Sequence, residues 1–170
     1  IITKRIELTE IHGAIRREGI ATEYEDILVT TNSMSLSQWR KMTVFSWVMM
    51  VMHSLKLCFY IMMYLVDRHN LKYVDLISYI GECKMPEGVG TIWRREVAYF
   101  EDQIDRLLQG YGRGHELPEF GGIYWDEEEA SFLRISEDFD QFYDEMLVLL
   151  QAFLKQREIA YDKEELAEVI

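Results

Sequence analysis

Residues 35–70 read SLSQWRKMTVFSWVMMVMHSLKLCFYIMMYLVDRHN, and the interpretation of this stretch decides the fold. Ser35 followed three residues later by Gln38 spells a capping box, in which the Ser hydroxyl accepts from the backbone amide at Gln38 and the Gln side chain reaches back. Met34 and Trp39 occupy the flanking positions of a hydrophobic staple. A helix therefore starts at Ser35, and the pattern carries it to about Asn70, a length of about 50 Å at 1.5 Å per residue. Its segment Val44 to Val66 is apolar and long enough to raise the question of a membrane span. Placing successive residues 100° apart gathers Ser46, His53, Lys56, Tyr60, Tyr64 and Asp67 within a sector of about 80°, opposite Val44, Val48, Val51, Leu55, Phe59 and Met62. A lysine near the centre of a bilayer costs roughly 2.5 to 3.5 kcal/mol on insertion scales, and the tyrosine hydroxyls add to that. The polar stripe thus favours the buried central helix of a bundle over a membrane span.

Upstream of this helix, Ile27 to Thr31 is a β-branched run that predicts a strand ended by Asn32 and Ser33, whereas Ile1 to Thr22, with Gly13 and Gly19, is irregular or a short strand. Downstream, Asn70 is expected to cap a short helix through about Ile80, with Val74, Ile77 and Ile80 inward, before Pro86 and Gly88. Thr91 to Gln109 is strongly amphipathic, with Trp93, Val97, Phe100, Ile104, Leu107 and Tyr111 at spacings of three and four. Gly110, Gly112 and Gly114 end it. Ser136, ahead of Glu137 and Asp138, is expected to open a helix carrying Phe139, Phe142, Tyr143, Met146, Leu149, Leu150 and Phe153. Asp162 with Glu165 repeats the capping pattern for a short terminal helix with Leu166 and Val169. The expectation is a mainly all-α fold, a helical bundle around one long central helix with a minor N-terminal strand, and residues 1–170 as a single domain.

Forty-nine per cent hydrophobic residues in a chain of 170 suffice for a core and exclude a disordered tail. Thirty Asp/Glu against 18 Lys/Arg, net −12, argue against a nucleic-acid binder, which needs the opposite excess. The charge is uneven: residues 1–60 are net +1 and residues 61–170 net −13. The densest run is Asp126 to Glu129, then Glu137, Asp138, Asp140, Asp144 and Glu145, which reads either as a docking face for a basic partner or a cation, or as a solvated face. Cys58 and Cys83 stand 25 residues apart and make no CxxC, zinc-ligand group or disulfide scaffold. Two reduced thiols and the lack of a secretory pattern at the start point to the cytoplasm. The start at Ile1, without an initiator Met, suggests a piece of a longer chain.

Few residues offer chemistry. The glycines at 110, 112, 114, 121 and 122 follow a helix and lead to Pro118, which is the context of a connector, whereas a phosphate loop leaves a strand and enters a helix. Gly114-His115-Glu116 holds a ligand pair without a third member. His12, His53, His69 and His115 are scattered. His53, in the polar stripe of an apolar helix, is placed either to exchange a proton or to hydrogen-bond a neighbouring backbone. Met49, Met50, Met52, Met62 and Met63 read as an adaptable binding surface or as core. Gly122-Ile123-Tyr124-Trp125 reads as stacking rings for a ligand or as a cover for the bundle ends, with Phe132 and Leu133 behind.

The order Glu25-Asp26-Ile27-Leu28-Val29-Thr30-Thr31-Asn32-Ser33-Met34-Ser35, then Trp39, Phe45-Ser46-Trp47 and His53-Ser54-Leu55, resembles the C-terminal region of cobalamin-binding radical S-adenosylmethionine proteins. The similarity is firmest over residues 24–65 and looser over 120–155, where Tyr124-Trp125, Glu127 to Glu129, Phe132-Leu133 and Phe142-Tyr143 contribute. Members of that family include methyltransferases acting on unactivated carbon and the anaerobic oxidative cyclase of magnesium-protoporphyrin monomethyl ester. The resemblance implies a parent with a cobalamin-binding domain, a radical barrel with a 4Fe-4S cluster that uses S-adenosylmethionine, and this helical part. The cluster-binding CxxxCxxC is absent from this chain, so it is expected to bind none of these cofactors and to cover the barrel as a non-catalytic accessory domain. Trp47, His53 and Tyr60, on or beside the polar stripe, are the expected substrate-contacting residues. The alternative is a stand-alone acidic helical interaction module.

Overall fold

A computed structural model describes residues 1–9, 18–83 and 91–170. The sequence features at His12, Gly13, Pro86 and Gly88 lie outside the described residues. The fold is mainly α: helices α1 (Leu36–Met49), α2 (Phe59–His69), α3 (Tyr73–Glu82), α4 (Thr91–Gln109), α5 (Glu127–Ser136), α6 (Phe139–Gln156) and α7 (Lys163–Val169). Two antiparallel hairpins accompany them, β1 (Ile2–Leu8) with β2 (Glu23–Thr30), and β3 (His115–Leu117) with β4 (Ile123–Trp125).

The junction between β2 and α1 forms as the residue pattern predicts. Gln38 N donates to Ser35 Oγ at 3.3 Å and Ser35 N donates to Gln38 Oε1 at 2.8 Å, so both orphan amides at the helix start are satisfied. Trp39 is buried and Met34 half-buried against the same core. On β2, Ile27 and Val29 point inward, and on β1 Ile6 is fully buried, which sets the hairpin's inner face against α1 and α4.

The single helix expected from Ser35 to Asn70 is two helices. After α1 the chain widens into a π-turn at Met50–Ser54, Lys56 adopts a left-handed conformation (φ 68°), and α2 leaves at 94° to the preceding segment. Lys56 N donates to His53 O and Cys58 N to Met52 O, which closes the helix end around a left-handed residue that is not glycine. The polar cluster His53-Ser54-Leu55-Lys56 is thus the point where the chain turns, while Leu57 and Cys58 plunge into the core immediately after it and Leu57 O accepts from the Tyr143 hydroxyl at 3.1 Å. Among the described residues no single helix is long and apolar enough to cross a membrane; the bent pair passes that test only when its two arms are taken together.

Three smaller expectations also shift. Asn70 does not open a helix; it closes α2 in the left-handed region (φ 50°), and α3 begins at Tyr73 with Val74 exposed and Leu76, Ile77, Tyr79 and Ile80 buried. Ser136 does not open α6 but ends α5, its hydroxyl donating to Leu133 O, and the capping role passes to Asp138, which accepts from Gln141 N at 3.2 Å. Asp162 caps α7 as expected, accepting from Glu164 N and Glu165 N at 2.8 and 3.0 Å.

The packing hub is α4, which touches α1, α5, α6 and β1. Trp93, Phe100 and Ile104 of α4 are fully buried with Phe142, Met146 and Leu149 of α6, and Val48, Val51 and Met52 line the same core from the α1 side. The glycine connector after α4 has a structural purpose. Gly110 O accepts from Glu7 N at 3.0 Å as the loop runs along β1, and a Cβ on Gly112 would lie 2.7 Å from Glu7 O, so only glycine permits that approach.

Candidate functional site

Among the described residues, the buried polar and charged side chains Glu96, Gln103, Glu127, Ser131 and Glu145 gather on α4 and on two helices that pack on it, α5 and α6. At the start of α4, Glu145 of α6 reaches across and accepts from the backbone amides of Thr91, Ile92 and Trp93 at 2.7 to 3.1 Å, supported by Gln141. Burial opposes the charge on Glu145, but the amides at this positive helix end outweigh it and hold the carboxyl below its ordinary range.

One turn further on, Glu96 is completely buried and receives Arg134 of α5, with Nη2 at 2.6 Å and Nε at 3.1 Å from Oε2. Ser131 Oγ donates to the same oxygen at 2.8 Å and Arg95 Nε reaches Oε1 at 3.1 Å. The carboxylate is therefore paired and fully hydrogen-bonded, the condition under which a buried charge is tolerated. For Arg134, burial opposes the charge while the Glu96 bonds more than restore it, so its pKa is raised. Its guanidinium also lies 4.0 Å over the Tyr99 ring, and that ring stands 5.2 Å from His115 on β3. Burial, reinforced by the positive charges of Arg106 and Arg134, pushes His115 down to about 4, so the imidazole is neutral at neutral pH.

The β3–β4 hairpin is pinned to this cluster by Glu127, whose buried carboxylate accepts from Gly114 N at 3.0 Å. Gly114 has φ 76°, and a Cβ there would meet Trp125 O at 2.7 Å. Burial raises the Glu127 pKa, with the Gly114 bond offsetting it in part. Two members of the acidic run, Glu127 and Glu145, consequently face inward with fixed partners, while Asp126, Glu137, Asp138, Asp140 and Asp144 are exposed.

His53 and Tyr60 both meet the Phe59 ring, at centroid distances of 5.0 and 5.2 Å, while Trp47 lies on α1. Trp47 packs on Phe100, ring centroids 5.4 Å apart. His53 sits in the π-turn, half-buried, edge-on to Phe59 and Tyr73. Tyr60 is 68% exposed on α2. The methionines divide: Met52 and Met62 are core, while Met50 and Met63 are exposed. Burial pushes the Cys58 thiol up to about 12, which removes it from nucleophilic or metal chemistry at neutral pH. Among the described residues no group of three or more His, Cys, Asp or Glu is placed to hold a metal ion. A groove of about 360 Å³ opens between α1, α3 and α4, walled by Val44, Phe45, Ile77 and Val97, with Lys41 and Glu101 also lining it.

Glu96, Tyr99, Arg134 and Glu145 were not singled out as one site by sequence, although Glu96 stands three residues after Trp93 on the face that buries Trp93 and Phe100. A carboxylate at such a position announces a buried partner. No family model matches the chain, and no curated protein matches it either.

Proposed function

We propose that this chain is the non-catalytic C-terminal helical domain of a cobalamin-dependent radical S-adenosylmethionine enzyme, of methyltransferase or oxidative-cyclase type, that covers the barrel and forms part of its substrate pocket. The observation that carries the reading is the residue order from Glu25 through Ser35 and Trp39 to Phe45-Ser-Trp47 and His53-Ser54. The parts of this order have a physical use here: a strand delivers the chain to a reciprocal cap at Ser35, and the helix then breaks at the His53-Ser54 segment. S-adenosylmethionine, the 4Fe-4S cluster and cobalamin would be held by the rest of the parent. No chemical step is assigned to this chain.

Its residues would act by shape and polarity. The break between α1 and α2 carries His53, Lys56 and the exposed Tyr60, the polar end of an otherwise apolar arm, and this is the part assigned to the substrate pocket, together with Trp47, which packs on Phe100. The decisive test is the reading frame that contains Ile1. A CxxxCxxC upstream in the same frame is the expected result, whereas a start codon directly before Ile1 overturns the proposal and favours the stand-alone acidic module. In the parent, His53→Ala is expected to lower turnover; unchanged turnover and stability would remove His53 from the pocket.

A further inference from the structure

We infer that the outer edge of β2 binds an extended, lysine- or arginine-bearing segment of another polypeptide, which adds to the N-terminal hairpin as a third strand. Which backbone groups face that edge follows from the other side of the hairpin. Glu7 N donates away from β2 to Gly110 O at 3.0 Å, and a Cβ on Gly112 would lie 2.7 Å from Glu7 O and one on Gly110 3.3 Å from Arg5 O, so Arg5 and Glu7 turn their backbone groups outward on β1. In an antiparallel pair, residues directly opposite each other either bond together or both face away. Glu7 lies across from Tyr24 and Arg5 from Asp26, so Tyr24 and Asp26, and Leu28 by alternation, turn their N–H and C=O groups to the far side of β2. Among the described residues no backbone group pairs with that side, and Tyr24, Asp26 and Leu28 are all exposed. The glycine connector therefore covers one edge of the hairpin and leaves the other open.

An open edge is a template for strand pairing, and proteins commonly blunt it with Lys, Pro or a bulge. β2 reads EYEDILVT, without Lys, Arg or Pro, and the one register shift of the hairpin lies at its Ile2/Thr3 end. Ile27 and Val29 are held in the core, which fixes the strand's two faces. Charge then selects the occupant. Glu23, Glu25 and Asp26 make no ion pair among the described residues, and Arg5, across from Asp26, lies over the Tyr24 ring at 4.9 Å. A second copy would set these acids against their own kind and bring a further net charge of −12, whereas opposite charges across a strand pair are favourable. In strand addition the backbone bonds supply affinity and the alternate side chains supply choice. The fitting segment places Lys or Arg against Glu25 and Asp26, and apolar side chains against Ile27 and Leu28.

The test uses the full chain and a fluorescein-labelled peptide, Thr-Val-Val-Lys-Lys-Val-Thr, read by fluorescence anisotropy beside a counterpart with Glu in place of Lys. The lysine peptide is expected to bind and the glutamate peptide not, and bound peptide should slow amide hydrogen exchange at Tyr24, Asp26 and Leu28. Backbone N-methylation of the first valine and the first lysine removes two donors of one peptide edge, and methylation of the second valine and the second lysine removes two of the other. One pattern should weaken binding about tenfold and the other leave it within about twofold, because a strand offers alternate amides to its neighbour. Asp26→Lys should weaken binding about fivefold by reversing the charge, and Leu28→Pro by a similar factor by deleting one outward N–H. If Leu28→Pro does not fold, the methylated pair still decides on the wild-type chain. Failure of the lysine peptide to bind, equal effects of the two methylation patterns, exchange protection away from β2, or self-association of the free chain that protects the same three amides would each overturn the inference.

Discussion

Removing Arg134 tests the reading of the hub most severely. Glu96 has no solvent access, and Arg134 supplies three of its contacts, at 2.6, 3.1 and 3.2 Å. Arg134→Met keeps most of the side chain's length but leaves the carboxylate with only Ser131 and Arg95, and Arg95 is mostly in solvent. Stranding one half of a buried ion pair costs about 3–5 kcal/mol. At a urea slope of about 2 kcal/mol/M the midpoint should fall by about 1.5–2.5 M, a large share of the roughly 5–15 kcal/mol that holds a domain folded. Glu96→Gln should cost less, about 1.5–3 kcal/mol, because Arg134 retains partial access to water and its bonds to the amide oxygen persist without charge. The double variant Glu96→Met/Arg134→Met should recover most of the loss, since an apolar pair of similar volume often replaces a buried ion pair without penalty. The assay is urea unfolding followed by far-ultraviolet circular dichroism. A midpoint for Arg134→Met within 0.5 M of the wild type would refute the claim that the Glu96 charge depends on this partner.

His115 is neutral in the fold and takes up a proton more readily once unfolded, so its stabilising contribution is whole above pH 6.5 and is lost as pH falls from there toward 4. Partial solvent access trims the loss to about 1–2 kcal/mol, and His115→Gln should flatten the fall in urea midpoint over that window; an unchanged slope contradicts the assignment. Lys56 pays for a left-handed backbone at φ 68°, so Lys56→Gly should raise stability by about 0.5–1 kcal/mol while Lys56→Val lowers it, and a destabilising glycine would mean that the lysine side chain contributes more than its backbone strain costs. Thiol titration at pH 7.5 should label the half-buried Cys83 first and Cys58 only after urea is added; simultaneous reaction of both would place Cys58 outside the core.

Local signals were legible from sequence wherever a side chain bonds to its own neighbourhood. The Ser35–Gln38 box and the Asp162 cap depend on residues within three positions, so the pattern contains the whole interaction. The break at Lys56 was not legible for the opposite reason. Nothing in residues 54–58 is glycine or proline, and the turn is secured from outside by Leu57 and Cys58 entering the core and by Tyr143 bonding Leu57 O, 86 residues away in sequence. A tertiary contact there overrides a local preference for continuing the helix. The same logic explains Ser136 and Asp138: either residue is a good cap, and the choice falls to Asp138 because Ile135 is fully buried as the last core residue of α5.

The acidic half of the chain shows how far charge alone can be read. As a composition, net −13 over residues 61–170 does not distinguish a solvated face from a docking face. The fold separates the acids by what they bond. Glu145 neutralises the start of α4, Glu127 fixes the hairpin through Gly114, and Glu96 pairs with Arg134, so three carboxylates among the acids are internal fasteners and are paid for by amides and a guanidinium. Each joins elements distant in sequence: α6 to α4, α5 to the loop before β3, and α4 to α5. Two of these joints end on α4, the helix that packs against α1, α5, α6 and β1, whereas exposed acids remain on α4 itself (Glu101, Asp102 and Asp105), around α5, on α6 and on α7. Within the run from Asp126 to Glu145, the exposed acids whose side chains make no capping bond are Asp126, Glu137, Asp140 and Asp144, and a partner drawn to that run would meet them. Neutralising those four should leave the urea midpoint nearly unchanged, while neutralising Glu145 alone should lower it, because only Glu145 answers the buried amides of Ile92 and Trp93.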